Sequence, residues 1–163
     1  MKWIKKLVVE LRIKKNKGRN VEKSQKSIED IKSIHILADS YENLVSATAA
    51  VAKHWSSGVV IEGRYYDEER VDEQSFSPKN FNLIGIPDHD LQHFMDQKAD
   101  IMLFTCSPTN AFMYLVAQNK SADYKIGFHH DLNDQLLDIM LAKEDSSLSS
   151  NIENLLKYLK KII

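Results

Sequence analysis

Ile101-Met102-Leu103-Phe104-Thr105-Cys106 runs apolar without alternation and leads straight into Ser107-Pro108-Thr109-Asn110. A strand that is apolar on successive residues must be covered on both faces, as in a parallel sheet flanked by helices. Proline suits a helix start, because its missing N–H is one the first turn leaves unbonded anyway. Phe112, Leu115, Val116 and Asn119 continue that helix. The stretch therefore reads as a central strand running into a helix, and it sets the expectation for everything around it.

Outward from this strand the same alternation recurs. Ile34–Ala38 is a short apolar strand, and Asp39-Ser40 after it suits a helix N-cap. Leu44, Thr48, Val51, Ala52 and Trp55 form that helix's inner stripe. Val59-Val60-Ile61 is β-branched and bounded by Gly58 and Gly63, so it reads as a second strand. Tyr65–Asn80 is polar and acidic and reads as a loop. Phe81–Ile86 reads as a further short strand closed by Pro87, after which Asp88 caps a helix carrying Leu91, Phe94 and Met95. Tyr124–Phe128 and Leu136–Leu141 are two more strand candidates, only about eight residues apart, too close for a helical crossover; their pairing stays open. Ser150 and Glu153 form a capping box for a closing helix with Ile152, Leu155, Leu156, Leu159 and Ile163 on its inner stripe. The fold class is α/β: a single three-layer Rossmann-like domain over residues 34–163, with a mostly parallel sheet.

Residues 1–33 read differently. Met1–Lys26 holds ten basic residues against two acids, a net charge of +8, while the remaining chain carries 12 basic and 21 acidic residues, a net −9. Trp3, Ile4, Leu7, Val8 and Leu11 recur at the spacing of one helix face, with lysines on the flanks. The segment predicts a basic amphipathic helix ending near Lys17-Gly18. Residues 19–33 are polar and read as a tether, so 1–33 is expected to be an arm separable from the fold. Such an arm suits docking to a phosphate-rich or anionic surface through Lys2, Trp3, Lys5, Lys6, Arg12, Lys14, Lys15, Lys17 and Arg19. The alternative is that it packs on its own acidic body.

The 163 residues, 43% apolar and 28% charged, are those of an ordinary globular protein. The lone Cys106 gives no sign of an oxidising compartment. The only uninterrupted apolar run near the N-terminus is Leu7-Val8-Val9, too short for a signal or spanning segment. The expected location is the cytoplasm, with a place peripheral to a membrane as the alternative.

No motif announces a reaction. A dinucleotide site needs glycines after the first strand, so that the backbone can approach pyrophosphate. Here the turn is Asp39-Ser40-Tyr41-Glu42-Asn43, and a Walker loop is absent as well. No dinucleotide or other cofactor is expected. His89 and His93, four apart on a helix, fit a zinc spacing but lack the glutamate base of H-E-x-x-H, and no metal site is assigned. Open α/β sheets bind ligands at strand ends, which selects Asp39, Ser40, Thr105, Cys106, Ser107, Asn110 and His129 as a candidate ligand site. Cys106 would be a nucleophile, and His129 or His130 its base, only where the fold joins them. The plainer reading makes Cys106 a small buried strand residue and Asp39 a cap.

From residue 34 onward the chain resembles a family of small Bacteroidota proteins of unknown function. Phe76-Ser77-Pro78-Lys79-Asn80-Phe81-Asn82-Leu83-Ile84-Gly85-Ile86-Pro87 is similar to a family motif, with Asn80 where aspartate is usual and Leu83 where tryptophan is usual. Ala99–Ser107, Tyr114-Leu115-Val116-Ala117 and Tyr124-Lys125-Ile126-Gly127 resemble its strand, helix and lysine-hydrophobic-glycine run. The closing Leu155-Leu156-Lys157-Tyr158-Leu159 and the lysine-rich N-terminus match as well. The resemblance implies an α/β domain and carries no chemistry. More faintly, the second stretch is similar to the N-terminal half of heptosyltransferase-type sugar transferases, whose donor-binding half this chain has no room for.

The expected function is that of a non-catalytic α/β protein docking through its basic helix. Cations that continue past the apolar stripe favour RNA or a ribonucleoprotein as the partner, with an anionic membrane surface or a protein as alternatives. A small-molecule-binding or enzymatic domain related to half of a sugar transferase is the second reading.

Overall fold

A computed structural model describes residues 1–16, 23–55, 58–144 and 146–163. After α1 (Lys2–Asn16) come β1 (Ser33–Ala38), α2 (Tyr41–His54), β2 (Val60–Tyr66), β3 (Ser75–Phe76), α3 (His89–Asp96) and β4 (Ala99–Phe104). Then follow α4 (Ala111–Asn119), β5 (Ala122–Phe128), β6 (Ile139–Leu141) and α5 (Leu148–Ile162). All six strands are parallel, in the order β3-β2-β1-β4-β5-β6. This is the doubly wound order, whose direction reverses between β1 and β4.

Strand residues alternate between two cores, as period-two side chains must. Ile34, Ile36 and Ala38 of β1 and Ile101 and Leu103 of β4 pack under α2 and α5, with Leu44, Val51, Ile152, Leu155 and Leu159. Leu37, Met102 and Phe104 face the other way, onto Leu91, Phe94, Phe112 and Val116 of α3 and α4. Every residue of β4 is buried: Ile101–Phe104 is apolar throughout, and Asp100 is the one charged residue among them.

The caps at Ser40 and Asp88 are as expected: their side chains accept from Asn43 N and Leu91 N. Four expectations are corrected. The strand read at Val59–Ile61 runs on through Gly63 to Tyr66, and the stretch read as a loop over Tyr65–Asn80 holds the edge strand β3. Phe81–Ile86 is no strand of the sheet; a short 3-10 turn at Pro78–Asn80 precedes it, and only Phe81 bridges, antiparallel, to Pro87. Within Leu136–Leu141 only Ile139–Leu141 is strand, while Leu136 and Leu137 are buried in the preceding turns. The closing helix starts earlier, capped by Ser147, whose side chain accepts from Ser150 N. The open pairing resolves as β5 parallel to β6, joined by a turn-rich loop instead of a helix.

The segment read as a tether is sewn to the sheet's N-terminal edge. Asp100 accepts from the backbone N–H groups of Lys32 (2.7 Å) and Ser33 (2.9 Å) and pairs with Lys26. Asp123, its side chain wholly buried, accepts from Ser24 N (3.1 Å) and Ser24 Oγ (2.9 Å) and pairs with Lys98 at 2.7 Å and Lys26 at 3.4 Å. Tyr124 brackets Lys26, accepting from its N–H and donating to its carbonyl. A tether that buries too little to matter does not describe these contacts. Lys17, Gly18 and Arg19, and with them the expected helix end, lie outside the described residues.

Candidate functional site

The N-terminal helix lies against α4, but not by the face its hydrophobic periodicity selects. Val9, wholly buried, sits in the α3–α4 core, with Ile13 packed beside it. Around them the contacts are made by long polar side chains reaching backbone carbonyls. Lys5 Nζ donates to Pro78 O at 3.1 Å and Arg12 Nε to Ile84 O at 2.8 Å. Asn16 Nδ2 donates to Asn119 Oδ1 at 3.1 Å, and Gln118 Nε2 to Ile13 O at 3.2 Å. Gly85 completes the seat. Its φ is +71°, and a Cβ there would stand 3.2 Å from Arg12 Cδ and Val8 Cγ1 and 3.3 Å from Val9 Cγ2. Only glycine supplies both the backbone conformation and the close approach.

The opposite face is left outward. Trp3 is 70% exposed, Leu7 51% and Leu11 57%, one turn apart along the helix. The Leu83–Ile86 loop, held along the Val8–Arg12 edge, adds exposed Leu83, Ile84 and Ile86. Of the cations assigned to docking, Lys5 and Arg12 are committed to the seat and Lys2 pairs with Glu68. Lys6 lies 4.0 Å from Glu10. Lys14 and Lys15, and Lys79 on the neighbouring 3-10 turn, are exposed and have no ion-pair partner among the described residues. Lys17 and Arg19 are not among the described residues.

The second candidate, the crevice between the C-terminal ends of β1 and β4, is occupied by its own structural duties. Ser40 Oγ accepts from Asn43 N at 3.2 Å, and Asp39 Oδ1 from Asn43 Nδ2 at 2.7 Å. Asn110 Oδ1 accepts from Met113 N at 3.0 Å, capping α4. Burial pushes the Cys106 thiol up to about 12, and the neighbouring Asp39 carboxylate adds to it. Thr105 is buried, with N–H donated to Leu37 O and its hydroxyl unpartnered among the described residues. His129 is exposed, 4.0 Å from Asp134, and no hydrogen bond joins Cys106 or Ser107 to a histidine among the described residues. Nor does any group of three His, Cys, Asp or Glu side chains there converge on a point suited to a metal ion. Asn110 borders instead a groove of about 460 Å³ between α1 and the start of α4.

Besides Asp100 and Asp123, the sequence reading missed the buried His35, Lys120 and Lys125. His35 stacks on Phe94 at 5.4 Å between ring centres; burial, then the nearby Lys120, lowers it to about 4, so it stays neutral. Lys120 Nζ donates to Phe94 O at 2.6 Å and to Gln97 O, capping the end of α3. Lys125 Nζ donates to Ala117 O at 2.8 Å and Gln118 O at 3.2 Å, capping the end of α4, where the helix dipole favours a cation. Lys125-Ile126-Gly127 is therefore a structural signature: a Cβ on Gly127 would meet Leu137 Cδ1 at 2.7 Å. The Phe76–Pro87 stretch likewise builds the seat of α1. Ser77 and Asn80 cap the 3-10 turn reciprocally, Phe81 packs on Phe112 at 5.1 Å, and Gly85 receives the helix.

Comparison with curated proteins and with solved structures finds no match. The sequence model of a family of unknown function (DUF6913) matches residues 5–162, starting inside α1, and the chain belongs to that family.

Proposed function

We propose that this member of the family is a docking module, in which the α/β body holds α1 rigidly and turns its apolar, lysine-rimmed face toward an anionic surface. One observation carries the reading: within a single helix Val9 is wholly buried while Trp3, Leu7 and Leu11 stand exposed. An amphipathic helix ordinarily spends its apolar stripe on the core. Here the seat uses the Val9 edge and half-buries Ile4 and Val8, so Trp3, Leu7 and Leu11 of the stripe are left for a contact outside the fold. Contiguous exposed apolar groups of this kind mark interaction sites, and Lys14, Lys15 and Lys79 set the charge of the partner. The RNA expectation leaned on the cations that continue past the stripe, Lys14, Lys15, Lys17 and Arg19; of these Lys14 and Lys15 are exposed and Lys17 and Arg19 lie outside the described residues, while Lys2, Lys5 and Arg12 are engaged within the chain.

Binding of the full chain to total RNA and to anionic vesicles, with and without Lys14→Glu/Lys15→Glu, tests the docking reading. The expected result is salt-sensitive binding to at least one of the two, lost in the charge-reversed variant. Binding to neither overturns the reading.

A further inference from the structure

We infer that the surface is an anionic lipid bilayer, and that the Asn82–Pro87 loop enters it beside α1. This rests on the docking reading above and names its partner. The chemistry of the face decides between polyanions. RNA binding relies on cations and on aromatic stacking platforms. This face offers one tryptophan among aliphatic groups: Leu7, Leu11, Leu83, Ile84 and Ile86. Aliphatic side chains gain nothing from phosphate and much from acyl chains. An interfacial helix buries such a stripe about 5–10 Å deep, with lysines at its edges reaching headgroup phosphates. Lys14 and Lys15 flank the stripe from α1, and Lys79 flanks the loop from the 3-10 turn.

The seat also removes the ordinary cost of such binding. A peptide helix must order itself at the membrane, whereas α1 is already held by Val9, Gly85, Lys5 and Arg12. The loop is held as well. Asn82 Oδ1 accepts from Ile84 N and Ile86 N, each at 3.0 Å, which fixes the tip that presents Leu83 and Ile84. Arg12's bond to Ile84 O sets the two apolar elements side by side, so they enter the bilayer together. No helix among the described residues is long and apolar enough to cross a membrane, so the attachment is peripheral.

The experiment is flotation of the full chain with vesicles of phosphatidylcholine alone, or of phosphatidylcholine mixed with phosphatidylglycerol. Total RNA serves as the competing ligand in a parallel arm. Wild type is expected to float with the mixed vesicles and not with the neutral ones. Trp3→Ala/Leu7→Ala and Leu83→Ser/Ile84→Ser should each weaken vesicle binding about tenfold or more. Val45→Ser, at a similarly exposed valine on α2, should not. Because these positions are exposed, thermal melts of all three should match wild type. Binding to RNA without binding to mixed vesicles overturns the lipid inference and leaves the docking reading standing. Binding to neither overturns both. Vesicle binding indifferent to both apolar variants overturns the insertion of the face.

Discussion

Val9→Ala and Leu7→Ala, two substitutions two residues apart on one helix, should separate by an amount the seat dictates. Val9 is wholly buried, so truncation to alanine removes two methyl groups' worth of transfer energy, about 1.6 kcal/mol, and leaves a cavity that adds to it. Alanine's higher helix propensity returns roughly 0.5 kcal/mol. The net loss is about 1.5–2 kcal/mol, or a Tm lower by roughly 3–8 °C for a chain of this length. Leu7 is 51% exposed and touches no core, so its truncation should move stability by less than about 0.5 kcal/mol. Urea and thermal unfolding by circular dichroism, run on both variants beside wild type, give the comparison. Periodicity alone predicts the reverse order, because it assigns Leu7 to the stripe and Val9 to the edge. A Leu7→Ala loss equal to or larger than that of Val9→Ala would refute the seating of α1 described above.

Three further outcomes follow from the same contacts. A chain starting at Ser33 should melt many degrees below the full chain, since it loses Val9 and strips Asp123 of Ser24 and Lys26; breaking a buried pair costs about 3–5 kcal/mol. An unchanged melt would restore the arm to a mere appendage. Asp123 should make stability acid-sensitive. Burial opposes its ionisation, yet Lys98, Ser24 and Lys26 outweigh that and hold its carboxyl down at about 2. Its contribution is therefore fully present above about pH 5 and lost as pH falls toward 2. Asp123→Asn should flatten that limb of the pH–stability curve, and an unaltered slope would show the pairing to be idle. Cys106, its thiol pushed up to about 12, should react with a disulfide reagent at pH 8 roughly tens of times slower than a free thiol until the chain unfolds, because the smaller thiolate fraction outweighs the thiolate's greater nucleophilicity. Reaction at the free rate would contradict its environment.

What was legible in the sequence follows from where one physical rule acts alone. Ile101–Phe104 could be read because a stretch covered on both faces is filled with apolar side chains, while Asp100 in the same strand is buried only because Lys32 N, Ser33 N and Lys26 satisfy it. The caps at Ser40 and Asp88 were legible because an orphan helix N–H needs a short oxygen-bearing side chain. Leu136 and Leu137 misled because apolarity reports burial and not conformation, and turns bury leucines too. His35, Lys120 and Lys125 were invisible, because their partners are an aromatic face and helix-end carbonyls brought from elsewhere in the chain. The helix α1 is the instructive failure. Its seat is made from Val9 with Ile13 and Val8 beside it, one glycine in the loop and the reach of Lys5 and Arg12 to carbonyls, and Val9, Ile13 and Gly85 lie off the visible stripe. Trp3, Leu7 and Leu11 of its visible stripe stay exposed. A local pattern that the fold does not consume is where function is expected to sit.

Trp3 reports on that contact directly. In a Trp55→Phe background its emission is the protein's only indole signal. In buffer it should have the red-shifted maximum of a solvent-exposed indole. Adding phosphatidylglycerol-containing vesicles should move it to the blue and make it quenchable by brominated acyl chains, while phosphatidylcholine vesicles leave it unchanged. Emission already blue in buffer would mean that Trp3 packs on its own body. Emission that stays red and unquenched on the anionic vesicles would mean that the outward face of α1 does not meet lipid.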